Sequence, residues 1–280
     1  MTGEQIQVLP DPEACAAAAA TFVATTLTDA VARRGVAHWA TTGGSTPAPI
    51  YRNLALPPLR DEVPWPAVHL WWGDERYVPP DHRLSNAHVA AAHLLQIGAT
   101  SGQSGTGTSG TDVTGGRTAG VMIPADQVHM VPTAAAIADG SGPQVAAERY
   151  AAELIAAGPD FVDGVPAFDL VFVGVGPDGH LLSVFPGSAT FDRPEPVLAV
   201  PAPTHVEPHV ERITLHPRIV SVARSVLVVI HGASKAEILA TVLGEGRDER
   251  RWPAQLALRE GATWIVDEAA AAKLRASSRP

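Results

Sequence analysis

Between residues 174 and 180 the chain reads Gly-Val-Gly-Pro-Asp-Gly-His. An aspartate and a histidine two residues apart on a glycine-rich loop can present a base and a neighbouring carboxylate to a cleft. Histidine, with an unperturbed pKa of about 6.5, is suited to take a proton at neutral pH. The same stretch matches G-x-G-x-x-G after a strand, which invites a dinucleotide reading. That fingerprint should open a long helix and be followed by a strand ending in an acidic residue. Here Pro186-Gly187 interrupts soon after the turn, and no such strand follows. The segment therefore offers a base and a carboxylate, His180 and Asp178, in place of a nucleotide loop.

A second chemical segment is Gly43-Gly44-Ser45-Thr46-Pro47. It supplies backbone N–H groups unblocked by side chains, two hydroxyls and a helix start, a combination that suits a phosphate. A plain β-to-α turn with Ser45 or Thr46 as N-cap is the competing reading. The segment has neither the spacing nor the lysine of a P-loop, and it is not a G-x-S-x-G nucleophile elbow. Lys235 and Lys273 are the only lysines in an arginine-rich chain. Drift toward arginine explains most of that, but a retained lysine hints at a wanted point charge.

These segments need elements to hold them. Residues 13–33 read as an alanine-rich helix stopped by Arg33-Arg34-Gly35. Apolar runs at Val36–Ala40, Val68–Trp72, Val128–Val131, Leu170–Val175, Val226–Ile230 and Thr263–Val266 read as strands. Helical stretches fall at Asn86–Leu95, Gln144–Ala156, Ser234–Leu243 and Asp267–Leu274. Strands alternating with helices imply an α/β fold: a Rossmann-like, doubly wound, largely parallel sheet with helices on both faces. In such sheets ligands bind beyond the carboxyl ends of the strands. Gly43–Thr46, Asp74–Arg76 and Gly174–His180 all follow strands, and Arg212 and Lys235 lie further on. The stretch 100–120 is built almost wholly of Gly, Ser and Thr and reads as a flexible surface insertion. Extending a short connection to this length adds only about 1 kcal/mol of closure entropy, so one domain over 1–280 is expected.

The chain has 280 residues and a formal net charge of −9. That balance argues against sequence-independent nucleic-acid binding, which needs a basic surface. It leaves room for a small anion held by a few local cations. The single cysteine, Cys15, reads as a packed residue, and one thiol forms no internal disulfide. No charged leader followed by an apolar stretch is evident, and no apolar run approaches about 18 residues, so a cytoplasmic protein without a membrane partner is expected. His205 and His209 form H-x-x-x-H, but Pro203 and Pro208 break the helix that would align them, and no metal is expected. Trp65, Trp71 and Trp72 read as core.

Gly43-Gly44-Ser45-Thr46-Pro47, then Trp72-Gly73-Asp74-Glu75-Arg76 with Ser85-Asn86, then Gly174 to His180 with Phe185-Pro186-Gly187, resemble the 6-phosphogluconolactonase family. Arg212-Ile213-Thr214 and Lys235 followed by Leu239 continue the likeness, which spans roughly residues 8 to 266. The related glucosamine-6-phosphate deaminases carry Asp-Glu-Tyr at the place of Asp74-Glu75-Arg76, and a glutamate shortly after the histidine. Here Leu181 to Gly187 holds no acid.

The resemblance implies hydrolysis of 6-phospho-D-glucono-1,5-lactone to 6-phosphogluconate, the second step of the oxidative pentose phosphate pathway, without a cofactor. It implies His180 as the base that activates water, with Asp178 or Asp74 orienting the imidazole. Arg76 and loop N–H groups would face the oxyanion, with Arg76 alternatively serving the phosphate. Gly43, Gly44, Ser45, Thr46, Arg212 and Lys235 would hold the phosphate. The partner is then a small sugar-phosphate lactone, and the expected state is a monomer, a weak homodimer being the alternative. The rival readings are an amino-sugar-phosphate isomerase–deaminase and a non-catalytic sugar-phosphate sensor.

Overall fold

The computed structural model describes residues 5–95, 120–244 and 246–274. Apart from Gly120, the Gly/Ser/Thr-rich stretch 100–120 lies outside the described residues. In chain order the elements are β1 (Gln5–Leu9), α1 (Pro12–Arg34), β2 (Ala37–Thr41), α2 (Pro47–Leu54), α3 (Leu59–Glu62), β3 (Val68–Trp72) and β4 (Asp74–Arg76). Next come α4 (Asn86–His93), β5 (Val128–His129), α5 (Thr133–Ala138), α6 (Gly142–Ala157), β6 (Phe161–Val162), β7 (Val165–Pro166) and β8 (Leu170–Val173). The chain closes with β9 (Val197–Val200), β10 (Arg212–Leu215), α7 (Ile219–Val222), β11 (Ser225–Ile230), α8 (Ala236–Gly244) and β12 (Ala262–Asp267).

The main sheet has the order β1-β12-β11-β8-β2-β3-β5, with every pair parallel. It is flanked by helices in a Rossmann-like, doubly wound topology. From β2 the chain winds through β3 to β5 on one side, then returns through β8, β11 and β12 on the other. The switch point therefore lies between β2 and β8, whose carboxyl ends carry the Gly43 turn and the Gly174–His180 loop. A crevice outside those two ends is the position where such folds bind ligands.

The strand interiors explain the apolar runs. β8 is buried along its whole length and β11 along all but its first residue, as strands covered on both faces require. Trp39, Trp71, Trp72 and Trp264 are among the largest fully buried side chains, and Trp65 is buried as well. Burial of a large side chain contributes about 1.5–3 kcal/mol. Helix α1 starts where Asp11 accepts a hydrogen bond from the Ala14 amide at 2.8 Å and stops at Gly35, whose φ is 78°. Cys15, Ala19, Val23 and Leu27 form its buried stripe, and burial, then Asp267 and Asp11, push the Cys15 thiol up to about 11.

Four features depart from the sequence reading. By length and composition α1 is apolar enough to cross a membrane, although no such run was expected. Its small-residue stripe instead lies against the sheet, where alanines allow close approach. The predicted helix at Asp267–Leu274 is only a 3₁₀ turn at Ala270–Lys273. Asp267 accepts the Ala270 amide at 2.7 Å and closes that turn, leaving too short a segment to nucleate an α-helix. β1 is an exposed edge strand without the continuous apolar run of its neighbours. Finally, β4, β10 and β9 form a separate antiparallel sheet that the sequence reading did not assign.

Candidate active site

At the β2/β8 switch point lies a cleft of about 380 Å³. Its lining includes Gly43, Gly44, Ser45, Thr46, Asp74, Arg76, His180, Arg212 and Lys235, residues drawn from segments far apart in the chain. Asn86, Glu207 and His231 also line it. Asp178 stands behind His180, outside the lining.

The turn after β2 leaves its donors open. A Cβ on Gly43 would sit 2.1 Å from Asn86 Oδ1, so only glycine admits this approach, and Gly44 has φ of 92°. Ser45 is exposed. Thr46 occupies the N-cap position of α2 but makes no capping hydrogen bond, so its hydroxyl is not consumed by the helix. Thr46 thus holds the N-cap place that the competing reading gave to it or Ser45, but by backbone position alone.

The loop after β8 is shaped around the imidazole. His180 Nδ1 lies 2.5 Å from Asp178 Oδ1, and the His180 amide donates to the same oxygen at 3.3 Å. The ring rests over Gly176, where an added Cβ would approach Nδ1 and Cε1 to 2.1 Å. Thus the second glycine of G-x-G-x-x-G makes room for a side chain and not for a pyrophosphate. The Gly176 amide donates to His180 O at 2.8 Å and closes the loop. A second imidazole, His205, meets the other oxygen of the same carboxylate, with Nε2 2.8 Å from Asp178 Oδ2. Burial alone would raise the Asp178 carboxyl, but the bond and charge of His180, then the bond to His205, outweigh it. The group is held well below the usual carboxylate range.

Asp74 is committed elsewhere. Its Oδ2 accepts from Ser183 Oγ at 2.6 Å and its Oδ1 from Asn86 Nδ2 at 3.1 Å. Of the two aspartates considered for orienting His180, it is Asp178 that touches the ring. Glu75 points away from the cleft and accepts from the amides of Arg76, Asn86 and Ala87 at 2.7, 2.7 and 2.8 Å and from Ser85 Oγ at 3.0 Å. Burial raises its carboxyl, against the pull of those four bonds. It ties β4 to the start of α4 and so fixes Arg76 and Asn86.

The cleft's cations are held by neutral partners. Arg76 Nη1 donates to Leu84 O at 2.7 Å. Arg212, only 3% exposed, donates to Val210 O at 3.1 Å and Pro208 O at 2.8 Å. Lys235 Nζ donates to Val175 O at 2.7 Å. Among the described residues none of the three forms an ion pair within 4.0 Å. Burial lowers Lys235 against the pull of Asp178, and lowers Arg212 against that of Asp74. Glu237, the neighbour that might have paired with Lys235, instead contacts Lys273. Three cations positioned by carbonyls keep their charge available to a ligand, and an anion entering the cleft meets them directly.

A second concavity, of about 360 Å³, offers a control. It contains Arg33, Arg34 and Arg224, but these pair with Asp29 at 3.6 Å, Asp169 at 2.5 Å and Asp160 at 2.6 Å respectively. Its positive charge is already answered.

Sequence reasoning passed over Ser183, Glu207 and His231, and set His205 aside as half of a failed metal motif. In the fold His205 pairs with Asp178, while His209 meets Pro203 O at 2.7 Å and Glu207 at 3.1 Å. Nothing local marks Ser183. Among the described residues no three His, Cys, Asp or Glu side chains are grouped to hold a metal ion.

Known proteins of one family resemble this chain along nearly its whole length. The family described as glucosamine-6-phosphate isomerases/6-phosphogluconolactonase matches residues 10–266. A 6-phosphogluconolactonase of Synechocystis sp. is 32% identical over 97% of this chain and 98% of its own. One from Mycobacterium tuberculosis is 34% identical over 96% and 98%. The solved structure of 6-phosphogluconolactonase from Trypanosoma brucei superposes with a TM-score of 0.75 at 26% identity, covering 98% of this chain and all of that one.

Proposed function

This chain belongs to the glucosamine-6-phosphate isomerase/6-phosphogluconolactonase family, and from that premise we propose that it hydrolyses 6-phospho-D-glucono-1,5-lactone to 6-phosphogluconate. The observation that carries the lactonase reading is the pairing, in one cleft, of an imidazole backed by a carboxylate with three cations that form no ion pair among the described residues. A neutral ester carbonyl at one end of the substrate and a phosphate at the other ask for those two features.

A carboxylate accepts only, so Asp178 fixes the His180 proton on Nδ1 and leaves the Nε2 lone pair as the base. In this mechanism Nε2 takes a proton from water as the oxygen attacks the lactone carbonyl. The carbonyl π electrons move onto oxygen and give a tetrahedral oxyanion. Collapse breaks the bond to the ring oxygen, which receives the proton back from His180. The imidazolium that exists between the two transfers is stabilised by Asp178. Arg76 is the donor assigned to the oxyanion, its Nε being buried and without a partner. Arg212, Lys235, the Ser45 and Thr46 hydroxyls and the open amides of Gly43 and Gly44 hold the phosphate. The lactone is intrinsically reactive, so positioning supplies much of the acceleration.

The deaminase alternative is weakened by the loop itself. Leu181 to Gly187 contains no acid; Leu181, Leu182, Val184 and Phe185 are buried, Ser183 is turned to Asp74, and Pro186 is half-buried. Acid release from freshly made 6-phosphogluconolactone, followed above the spontaneous rate, tests the reading. Ammonia release from glucosamine 6-phosphate without lactone turnover would replace it with the deaminase, and neither reaction would point to a non-catalytic sensor.

A further inference from the structure

His205 lies on the segment between β9 and β10, and nothing in the mechanism above uses it. Three observations give it a place. First, its Nε2 bonds the Asp178 oxygen that His180 leaves free, so one carboxylate bridges two imidazoles. Second, Phe185 sits between the two rings, 4.8 Å from His180 and 5.7 Å from His205. Third, the neighbouring Val206 is buried in a small cluster with Phe185 and Val200, so the segment is anchored independently of the hydrogen bond. The same segment supplies the Pro208 and Val210 carbonyls that hold Arg212, whose guanidinium stands 5.9 Å from the Phe185 ring.

We propose that His205 is a positioning residue for the base: through Asp178 it fixes the orientation of His180, and its own protonation weakens the basicity of His180. The inference rests on the lactonase reading for its kinetic consequences. With His205 neutral, its Nε2–H donates to Asp178 and the full carboxylate charge supports the His180 imidazolium. Once His205 carries a proton, its positive charge competes for that carboxylate and repels a second proton on His180. The other charges facing this group are Lys235, Arg212, Arg76 and Asp74 from the cleft, with Glu207 and His209 on the segment itself. The other imidazoles nearby are His231, which lines the cleft, and His209, which is turned to Glu207 and Pro203 O.

The test compares His205→Gln with His205→Ala and His209→Gln. Glutamine retains an N–H donor toward Asp178 but does not titrate. The acid limb of its kcat/KM profile should lie at higher pH than in wild type, because the charge that competes for Asp178 is gone. Its plateau turnover should stay within about threefold of wild type. His205→Ala should lose turnover severalfold at every pH, and His209→Gln should leave the limb in place. In parallel, NMR of the His180 ring nitrogens across pH, without substrate, should show the ring taking up its proton at higher pH in His205→Gln than in wild type. Identical His180 titrations in those two proteins, or an equal shift in His209→Gln, would overturn the proposal. The NMR readout needs no turnover, so its result stands apart from that of the lactone assay.

Discussion

At the scale of single residues, the proposed mechanism separates a proton-handling end of the cleft from an anion-holding end. His180→Ala removes the base while leaving the Asp178 and Gly176 backbone in place. Turnover should fall at least about 100-fold with an unchanged circular dichroism spectrum, the usual contribution of one general base. A variant running near the wild-type rate would remove His180 from the mechanism. Lys235 tests the other end. Its ammonium is held by a single carbonyl, so Lys235→Ala deletes charge without stranding a buried carboxylate partner. A charge-assisted bond contributes about 1.5–3 kcal/mol, which predicts a KM for the phosphorylated lactone raised roughly 10- to 100-fold. The KM for unphosphorylated gluconolactone should change little, and parallel increases for both substrates would reassign Lys235.

At the scale of elements, the two glycine-rich turns act by making space. Gly176 lies under the His180 ring, and a methyl there would stand 2.1 Å from ring atoms. The imidazole must then swing off Asp178. Gly176→Ala should therefore lower kcat by about 100-fold or more while shifting the unfolding midpoint by only a few degrees, since the loop is half open to solvent. A large loss of stability with proportionate loss of activity would show instead that the loop, not the ring, depends on this glycine. The heptapeptide was legible as a base-and-carboxylate loop from its residue types. That its second glycine serves the histidine was not, because i and i+4 in a turn have no fixed separation until the turn is built. The antiparallel β4-β10-β9 sheet was illegible for a related reason. β4 and β9 are only three and four residues long, and β4 finds its partner β10 far along the chain.

At the scale of the molecule, a buried histidine cluster sets part of the stability. His38, His69 and His129 come together from β2, β3 and β5, with His69 Nδ1 2.9 Å from His129 Nε2 and Trp71 Nε1 donating to His38 at 3.3 Å. Burial first, then the neighbouring His69 and His129, lower His38 to about 4, and burial with His129 lowers His69. Above pH 6.5 neither folded nor unfolded chain carries these protons. Between pH 6.5 and about 4 the unfolded chain takes up protons that the folded one refuses, so stability falls as pH falls and levels off lower down. For His38 alone the loss reaches about 3 kcal/mol near pH 4. Glu75, raised by burial, works in the opposite sense, so the comparison must be made against a variant. Denaturant unfolding at pH 7 and 4.5 should show a pH-dependent loss smaller by about 2–3 kcal/mol in His38→Gln than in wild type. Equal losses would remove His38 as the cause.

The order of motifs along the chain, the alternation of apolar runs with helical stretches, and the residue types of the Gly174–His180 loop and the Gly43–Thr46 turn are all local, and sequence alone was enough to read them. Residue type and spacing within a turn or strand carry that information directly. What only the tertiary structure decided are the contacts made across long separations: Ser183 claiming Asp74 over 109 residues, Lys235 finding Val175 O over 60, and His205 reaching Asp178 over 27. Each depends on which strands become neighbours and in what register, and strand neighbourhood is settled by packing of the whole sheet. The choice between Asp74 and Asp178 beside the imidazole, and the neutral tethers that leave the cleft cations uncompensated, belong to that second kind.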